Sequence, residues 1–451
     1  MAVAVETIRA GLAAVVGDAR VSAEETARAA FRVDGMTPEH VVYPSCAEHA
    51  VEVLEFAGEQ GLGVIPCRNA TKLGIGNPPR RYDLALCLKE LNRVWHYEPE
   101  DLTVSVEAGM KFGDFQHFVG RHGLWLPLDP PGGSKASLGG IVATNAAGPL
   151  RLRYGSPRDM VLGMRVATAD GKLVKTGGRV VKNVAGYDLG KLFIGSHGTL
   201  GVVVEINLKL FPLPERRATF VFEARKMDMA RKLRQEILLS PLEPLRMVLL
   251  DAAAASLVRG TTPAPGARGF ELWLEVGGSE RVIKRCARDL ESLGQANGAT
   301  VNPIEAEQAE NSWLRVSDVH SWMKQAYPDL VILKAILPIA ASEEFVAYMD
   351  MDAGLGKIES ACFAQVGIGI VHVCVLDQKP AAETSALVAR VRRFVGVLGG
   401  DLVIECCSAE VKRLSDDVWG ARGDDFAAMA QLKTLMDPKG VLAPGRFLGL
   451  L

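Results

Sequence analysis

The sequence has no Cys-x-x-Cys spacing and no surplus of basic residues. Its eight cysteines are scattered along the chain and its formal net charge is only −2. Iron–sulfur clusters need convergent cysteine ligands, so this chain is not expected to bind a cluster itself, and scattered thiols are typical of a reducing compartment. Without a basic surface, no nucleic-acid partner is expected. The composition therefore predicts a cytoplasmic protein with reduced cysteines.

The common glycine motifs for nucleotides are also missing. Gly74-Ile-Gly76 runs directly into prolines, and Gly61-Leu-Gly63 is followed by Pro66, so neither starts the turn and helix that a G-x-G-x-x-G fingerprint requires. The Gly-Lys-Ser/Thr order of a Walker A loop does not occur either. These absences argue against a nicotinamide-dependent Rossmann enzyme.

No basic leader followed by a clean apolar run marks the N-terminal region. Residues 1–17 are mostly apolar, but Glu6 and Arg9 interrupt them. We expect an amphipathic helix there rather than a signal peptide or a membrane span, and no direct membrane insertion.

Glycine, by contrast, is dense between residues 128 and 205. The blocks 128–148, 153–156, 182–189 and 195–201 contain glycine pairs and single glycines interleaved with Ile, Val and Leu. A flexible linker would not carry these apolar residues. Glycine amides can approach a phosphate or a flat ring closely because no Cβ intervenes, so the pattern favours a ligand cradle. Tight turns inside a core are the alternative interpretation.

These blocks resemble the FAD-binding domain of the vanillyl-alcohol oxidase / p-cresol methylhydroxylase family. Within that family the chain is most similar to the FAD-binding subunits of bacterial glycolate oxidases. The similarity covers residues 41–211 and the closing run 436–447. It implies an α+β fold with a two-subdomain FAD-binding domain at 1–214. It also implies an α+β cap (substrate) domain at 215–405 and a C-terminal segment, 406–451, that returns to the FAD-binding domain.

The resemblance implies non-covalently bound FAD and a set of residues around it. In the family, a glycine run binds the pyrophosphate, and here Arg68, Asn69 and Ala70 stand where glycines are usual. Arg68 either adds charge at the pyrophosphate or is a solvated loop arginine. The implied FAD-binding residues are Arg68, Asn69, Ala70, Thr71, Lys72, Pro130, Ser137, Gly139, Gly140, Asn145, Tyr154, Gly155, Asn183, Gly186, Gly198, Gly201 and Val202.

Only part of the family's substrate motif is present. In the family, dehydrogenases that act on 2-hydroxy acids carry His-x-Gly-Asp-Gly-Asn-x-His, in which two histidines help to hold a metal. The matching run here extends from Gln365 to His372, with isoleucines in place of the Asp and Asn. We therefore expect no metal site. His372 and Arg315 are the candidate catalytic residues. The alternative interpretation is that His372 is a strand residue without a catalytic role and that Arg315 is a solvated arginine.

Three functions remain open at this point. The first is an FAD-binding subunit that acts on a small 2-hydroxy acid beside a homologous catalytic flavoprotein subunit and an iron–sulfur subunit. The second is a self-sufficient FAD-dependent D-2-hydroxy-acid dehydrogenase, in which His372 or His197 takes the hydroxyl proton and Arg315 or Lys334 holds the carboxylate. The third is a structural subunit without flavin.

Overall fold

A computed structural model describes residues 2–179, 187–264, 266–354 and 358–451. The chain forms two compact units. The first unit comprises residues 1–146, 156–212 and 416–451, and the second comprises 147–155 and 213–415. The second unit thus extends ten residues beyond the expected boundary at 405/406 and includes a short piece from the glycine-rich region. No helix in the described ranges is long and apolar enough to cross a bilayer.

The strands of both units are short to medium in length. In chain order they are β1 (Val21–Ser22), β2 (His40–Val42), β3 (Val64–Cys67), β4 (Leu84–Cys87), β5 (Val94–Glu98), β6 (Thr103–Glu107), β7 (Leu124–Trp125), β8 (Val161–Ala167), β9 (Leu173–Gly177), β10 (Val202–Lys209), β11 (Phe211–Pro212), β12 (Arg216–Ala224), β13 (Arg246–Asp251), β14 (Phe270–Gly278), β15 (Thr300–Ile304), β16 (Val331–Ile336), β17 (Ser360–Gln365), β18 (Ile370–Val375) and β19 (Asp401–Cys406).

Helices connect these strands. They are α1 (Ala2–Val16), α2 (Glu25–Ala29), α3 (Ala47–Gln60), α4 (Phe112–Gly120), α5 (Leu138–Ala143), α6 (Arg151–Tyr154), α7 (Pro157–Met160), α8 (Gly190–Phe193), α9 (Met227–Leu239), α10 (Ala252–Arg259), α11 (Glu280–Asn297), α12 (Ala306–Ser317), α13 (Val319–Ala326), α14 (Ser342–Gly354), α15 (Ala381–Val397), α16 (Ala409–Leu414) and α17 (Phe426–Met436).

The first unit begins with a small sheet of order β1-β2-β4-β3, in which β2, β4 and β3 are parallel. Helix α3 connects β2 to β3, and Gly61 ends it in the left-handed conformation, as the sequence predicts. The sequence also predicts a capping box at Ser45, and this prediction is wrong. The helix starts one residue later, after Cys46, because Ser45 Oγ lies 3.1 Å from His49 Nδ1 instead of capping an amide.

A second, antiparallel sheet in the first unit has the order β5-β6-β10-β8-β9. The β8–β9 hairpin forms around Asp170-Gly171, where the sequence predicts it. Strand β10 is the central strand. Alternation along it predicts one buried and one exposed face, but Val203 and Asn207 on the second face are also buried. The strand is therefore more deeply enclosed than its pattern indicates.

The second unit contains one antiparallel sheet of order β15-β12-β14-β13-β17-β18-β16-β19. The sequence predicts β12, β14 and β18 and also α9, α11 and α15, and all six are present. Its core includes Trp273 and Trp313, whose rings meet edge to face at a centroid distance of 6.3 Å. Trp313 Nε1 donates to Thr219 Oγ1 over 2.9 Å, so the buried indole is also satisfied as a donor.

Asp251 is a buried acid that caps α10. Its carboxylate accepts bonds from the amides of Ala254 (2.7 Å) and Cys362 (2.8 Å). Burial raises the pKa of Asp251 to about 7. Because this folded-state pKa is above the usual value of about 3.9, the acid's contribution to stability is complete below about pH 4 and is lost as the pH rises to about 7.

We therefore expect the free energy of unfolding to carry a component that decreases between about pH 4 and 7. Asp251→Asn keeps an acceptor for the cap and cannot ionise, so the variant should lack this component. Denaturant titrations of both proteins at several pH values measure the difference. Equal pH slopes in the two proteins would contradict the assignment.

Candidate functional site

A cleft that is partly open to solvent lies in the first unit. Three segments form most of it: the loop after β3, the start of α5, and the turn that leads into β10. Two residues of the C-terminal segment complete it. The lining residues are 65–73, Ile75, Leu88, Ala108, Ser137, Gly139, Gly140, Ala143, Thr144, His197, Gly198, 201–203, Ala443 and Arg446.

Two adjacent glycines at the start of α5 have different roles. A Cβ on Gly139 would lie 2.8 Å from the Cβ of Ala108 and 2.9 Å from its carbonyl oxygen, so this glycine lets α5 pack against the end of β6. A Cβ on Gly140 would approach only Ser137 Oγ, at 3.2 Å. The Ser137 hydroxyl caps α5 by accepting a bond from the amide of Gly140. Gly140 therefore leaves space at the wall of the cleft.

The loop from residue 68 to 72 is fixed by its own side chains. Arg68 Nε donates to the carbonyl of Gly109 over 3.1 Å, and Asn69 Nδ2 donates to the carbonyl of Lys135 over 2.6 Å. Lys72 Nζ donates to the carbonyl of Pro131. Ala70 has a φ of 57°, a conformation that glycine adopts more easily. The side chains that replace the family's glycines thus tie the loop to neighbouring segments.

Arg446 holds the same loop from the C-terminal segment. Its guanidinium is buried and donates to the carbonyls of Leu73, Ile75 and Asn77, and it lies 3.3 Å from the carboxylate of Asp34. A guanidinium has five N–H donors in one plane, so it can bond to several carbonyls at once. The sequence reasoning did not single out this residue, although it lies in the closing run that the resemblance covers.

The second unit brings together a separate cluster of charged and ionisable side chains. His372 is on β18, Lys334 faces it on β16, and Glu405 is on β19. Lys334 Nζ lies 3.1 Å from one oxygen of Glu405, and His372 Nε2 lies 3.4 Å from the other. His320 on α13 places its Nε2 2.9 Å from that second oxygen. Among the described residues, no group of three His, Cys, Asp or Glu side chains is arranged to hold a metal ion.

A β-bulge positions Glu405. Ile332 pairs with Cys406 and the next residue, Leu333, pairs with Ile404, so the register shifts at Glu405. A bulge leaves one residue without a direct partner and can redirect its side chain. The carboxylate of Glu405 reaches Lys334 on the adjacent strand β16 and His372 on β18, the strand beyond it.

The cluster contains an ion pair, Lys334 with Glu405, and a neutral imidazole, that of His372. Burial lowers the pKa of His372, while Glu405 acts in the opposite direction, so His372 is neutral at pH 7. Burial alone would raise the pKa of Glu405, but Lys334 and the two histidines hold it well below its usual range. Glu405 is therefore ionised beside a cation and a neutral base.

The other predicted substrate residues lie elsewhere in the second unit. Arg315 Nη1 donates to the carbonyl of Leu257 near the end of α10, over 3.0 Å, and its guanidinium lies 5.8 Å from the ring of Trp322. Among the described residues, these contacts with Leu257 and Trp322 do not include His372. Gln365 is buried and its carbonyl oxygen has no hydrogen-bond partner in the described structure. The role of Arg315 in carboxylate binding stays a prediction that its contacts do not support.

Comparison with known proteins decides the family. Residues 38–177 match the family described as "FAD binding domain", and residues 213–447 match "FAD linked oxidases, C-terminal domain". The second match spans more than half of the chain. This chain belongs to the family of FAD-linked oxidases. FAD is therefore its cofactor, and the alternative of a structural subunit without flavin is wrong.

The curated relatives of this FAD-linked oxidase include three enzymes with different names. The glycolate oxidase subunit GlcD of Bacillus subtilis is 26% identical over 91% of this chain and 88% of its own. The D-lactate dehydrogenase of Archaeoglobus fulgidus is 26% identical over 90% of each chain. The D-2-hydroxyglutarate dehydrogenase of Xanthomonas citri is 26% identical over 91% of this chain and 89% of its own.

Solved structures confirm the predicted fold class. The crystal structure of p-cresol methylhydroxylase with substrate bound superimposes with a TM-score of 0.75 at 16% identity, over 98% of this chain and 96% of the other. Alkyldihydroxyacetonephosphate synthase reaches a TM-score of 0.75 at 14% identity, over 98% and 86% of the two chains. The chain therefore has the vanillyl-alcohol oxidase / p-cresol methylhydroxylase fold with an α+β second domain.

The cleft of this FAD-linked oxidase fits its cofactor. FAD combines a flat, largely apolar ring system with a doubly charged pyrophosphate. The cleft offers apolar walls such as Ile65, Leu88 and Val202, cationic side chains such as Lys72, and glycine backbone at Gly140. Both kinds of surface that the cofactor needs are present.

Most of the residues that the resemblance implies for FAD come together in this cleft. Those that line it are Arg68, Asn69, Ala70, Thr71, Lys72, Ser137, Gly139, Gly140, Gly198, Gly201 and Val202. Pro130 and Asn145 belong to the first unit without lining the cleft, and Tyr154 and Gly155 belong to the second unit. Asn183 and Gly186 lie outside the described residues. For every residue of this set, contact with FAD stays a prediction.

His197 also lines the cleft, but it is a packed residue. Its ring meets that of Trp419 at a centroid distance of 4.6 Å and that of Phe447 at 5.7 Å. Its amide donates to the carbonyl of Ala143 over 2.8 Å. These contacts favour a wall residue over a catalytic base.

We expect Ser137→Ala to weaken FAD binding about five-fold. The substitution removes the cap of α5, which is worth about 1 kcal/mol, and so loosens the backbone at Gly140. Ser408→Ala is the matched control, because Ser408 caps α16 in the second unit through the amide of Val411. Equilibrium FAD titration of both variants measures the effect. Equal FAD affinity in the two variants would contradict the role of the α5 cap.

Proposed function

We propose that this FAD-linked oxidase oxidises a small 2-hydroxy acid. The observation that carries the proposal is the cluster of Lys334, His372 and Glu405 in the second unit, which combines a cation with a neutral base. The names of three relatives support the substrate class, because glycolate, D-lactate and D-2-hydroxyglutarate are all 2-hydroxy acids.

The reaction removes a proton from the hydroxyl group and a hydride from the carbon that bears it. FAD, when bound, supplies the two-electron acceptor for this chemistry. The ammonium of Lys334 pairs with the carboxylate of the acid. The neutral imidazole of His372 accepts the hydroxyl proton, and the ionised Glu405 stabilises the imidazolium that results.

We further propose that FAD is held without a covalent bond. Cys67 is a cysteine that lines the cleft, and a thiolate there would be the natural point of attachment. Burial, followed by a hydrogen bond with Cys87, raises the pKa of Cys67 well above its usual value, so the thiolate is disfavoured. Flavin should therefore leave with the supernatant when the protein is denatured.

The chain is proposed to act as a subunit beside a homologous catalytic flavoprotein and an iron–sulfur subunit. Two observations support this arrangement. The Bacillus subtilis relative is itself named as a subunit, and the run from Gln365 to His372 keeps one of the family's two histidines.

A self-sufficient D-2-hydroxy-acid dehydrogenase is the second candidate. The compact cluster itself favours it, because Lys334 and His372 already provide carboxylate binding and proton acceptance. The D-lactate and D-2-hydroxyglutarate dehydrogenases among the relatives are consistent with it as well.

Anaerobic mixing of the purified chain with glycolate, D-lactate and D-2-hydroxyglutarate tests these proposals. We expect slow bleaching of the flavin by one of the acids, and faster bleaching when the chain is purified together with a co-expressed homologous flavoprotein. Fast bleaching in the isolated chain would favour the second candidate. No bleaching by any of the acids, alone or in a complex, would overturn the proposed substrate class.

A further inference from the structure

Two cysteines end neighbouring parallel strands at the edge of the cleft. Cys67 is the last residue of β3, Cys87 is the last residue of β4, and the two are direct partners in the ladder. Adjacent strands are about 4.8 Å apart, which is inside the Cα separation of about 4.4–6.8 Å that a disulfide requires. The side chains of two residues that are paired in a ladder also project to the same face of the sheet. A bond between them therefore needs no separation of the strands.

The two thiols already interact. Cys67 Sγ donates to the carbonyl of Leu86 over 3.7 Å, and Cys87 Sγ donates to the carbonyl of Arg68 over 3.6 Å, so each thiol reaches across to the other strand's chain. The neighbouring Cys67 thiol lowers the pKa of Cys87, and Lys89 and Arg68 add to this effect against burial. Cys87 is thus the thiol that ionises more readily.

Both cysteines lie next to space that a small molecule can enter. Cys67 lines the FAD cleft. Cys87 lines a neighbouring cavity together with Lys89, and Arg68 and Asn69 border both spaces. The pair is therefore placed beside the loop that the resemblance assigns to the pyrophosphate of FAD.

We propose that Cys67 and Cys87 form an oxidation site at which a hydroperoxide converts the dithiol to a disulfide and thereby loosens FAD. The thiolate of Cys87 attacks the terminal peroxide oxygen, the O–O bond breaks, and an alcohol or water leaves as Cys87 becomes a sulfenic acid. Cys67 then attacks the sulfenic sulfur, forms the S–S bond and releases water. The dithiol loses two electrons and two protons, and the peroxide gains them.

The disulfide changes how the pyrophosphate loop is held. Once both sulfurs are joined, neither carries a hydrogen, so the carbonyl of Arg68 loses its bond from Cys87. Arg68 is the first residue of the loop. A thiol is a weak donor, so the loss of this bond corresponds to about a two-fold change in an equilibrium constant, the lower end of the range for neutral hydrogen bonds. The oxidised protein should release FAD about two-fold more readily, and a reducing agent should reverse the change. This consequence rests on the proposed position of FAD, whereas disulfide formation does not.

Treatment of the FAD-loaded protein with hydrogen peroxide tests the site. After denaturation, thiol titration should find two of the eight cysteines consumed. Peptide mass spectrometry should identify a Cys67–Cys87 link that dithiothreitol removes. Cys67→Ser and Cys87→Ser should each prevent the link. Cys286→Ser should still form it, because Cys286 is buried in α11 of the second unit and is not a member of the pair.

Three outcomes would overturn the inference. Eight free thiols after peroxide treatment, or a link between other cysteines, would contradict the proposed oxidation site. Equal FAD release from the oxidised and reduced proteins, measured by filtration, would remove its coupling to FAD. None of these measurements requires turnover of a 2-hydroxy acid. A negative result would therefore contradict the oxidation site without bearing on the proposed reaction.

Discussion

Gly140→Val is expected to weaken FAD binding by roughly 5- to 150-fold. Gly140 lines the cleft, and a Cβ there would approach no atom except Ser137 Oγ, at 3.2 Å. The added side chain displaces Ser137 Oγ by at most a few tenths of an ångström, and its methyl groups occupy space at the wall of the cleft that we propose for the cofactor. Overfilling a packed site costs about 1–3 kcal/mol, which corresponds to the stated change in affinity. FAD per chain and the dissociation constant measure it.

Gly396→Val is the matched control. Gly396 lies in helix α15, and a Cβ there has open space within 4 Å. The control carries the same loss of glycine and the same β-branched residue in a helix, but in the second unit. Wild-type FAD affinity in Gly140→Val would mean that this wall of the cleft does not contact the cofactor. A thermal midpoint close to that of the control would show that the effect is local.

Lys334→Met is expected to lower kcat/KM for the 2-hydroxy acid by roughly 10- to 150-fold. The substitution keeps most of the side chain's volume and removes the ammonium that we propose to bind the substrate carboxylate. Hydrogen bonds to a charged group contribute about 1.5–3 kcal/mol, which gives this range. FAD content should stay at the wild-type level, because Lys334 lies in the second unit. The assay uses whichever form turns over, the isolated chain or its complex.

Two further variants separate substrate binding from a structural loss. Lys334→Met alone leaves Glu405 without its cation, whereas Lys334→Met combined with Glu405→Gln restores neutrality. The double variant should recover stability and should not recover kcat/KM. Lys324→Met removes an exposed lysine from α13 and should change neither the stability nor kcat/KM. An unchanged kcat/KM in Lys334→Met would exclude this residue as the carboxylate ligand.

The density of glycine in the sequence favours a ligand cradle, and Gly139, Gly140 and Gly198 line a cleft in the first unit. Their contact with FAD, which the resemblance implies, stays a prediction. The loop at Arg68 was predicted less well, because the carbonyls of Gly109 and Lys135 that bind its side chains are distant in sequence. A pattern of local residues does not contain such partners.

The substrate cluster could not be predicted from local patterns for a related reason. Lys334, His372 and Glu405 meet through the pairing of β16 with β18 and β19, and the bulge at Glu405 leaves no clear mark in the sequence. No motif in the sequence marks Glu405 as a member of the cluster. His320 comes from a helix outside the family's motif. The strand order brings the first three side chains together, and α13 adds His320.

The bonds of Arg446 also determine when the first unit can be completed during synthesis. Arg446 binds the carbonyl of Asn77, and 369 positions separate the two residues. Ribosomes add about 5–20 residues per second, so the loop at 73–77 leaves the ribosome roughly 20–70 s before its partner. All of the second unit is synthesised in that interval and can fold first. The cleft, which Ala443 and Arg446 complete, can therefore form in full only at the end of this interval.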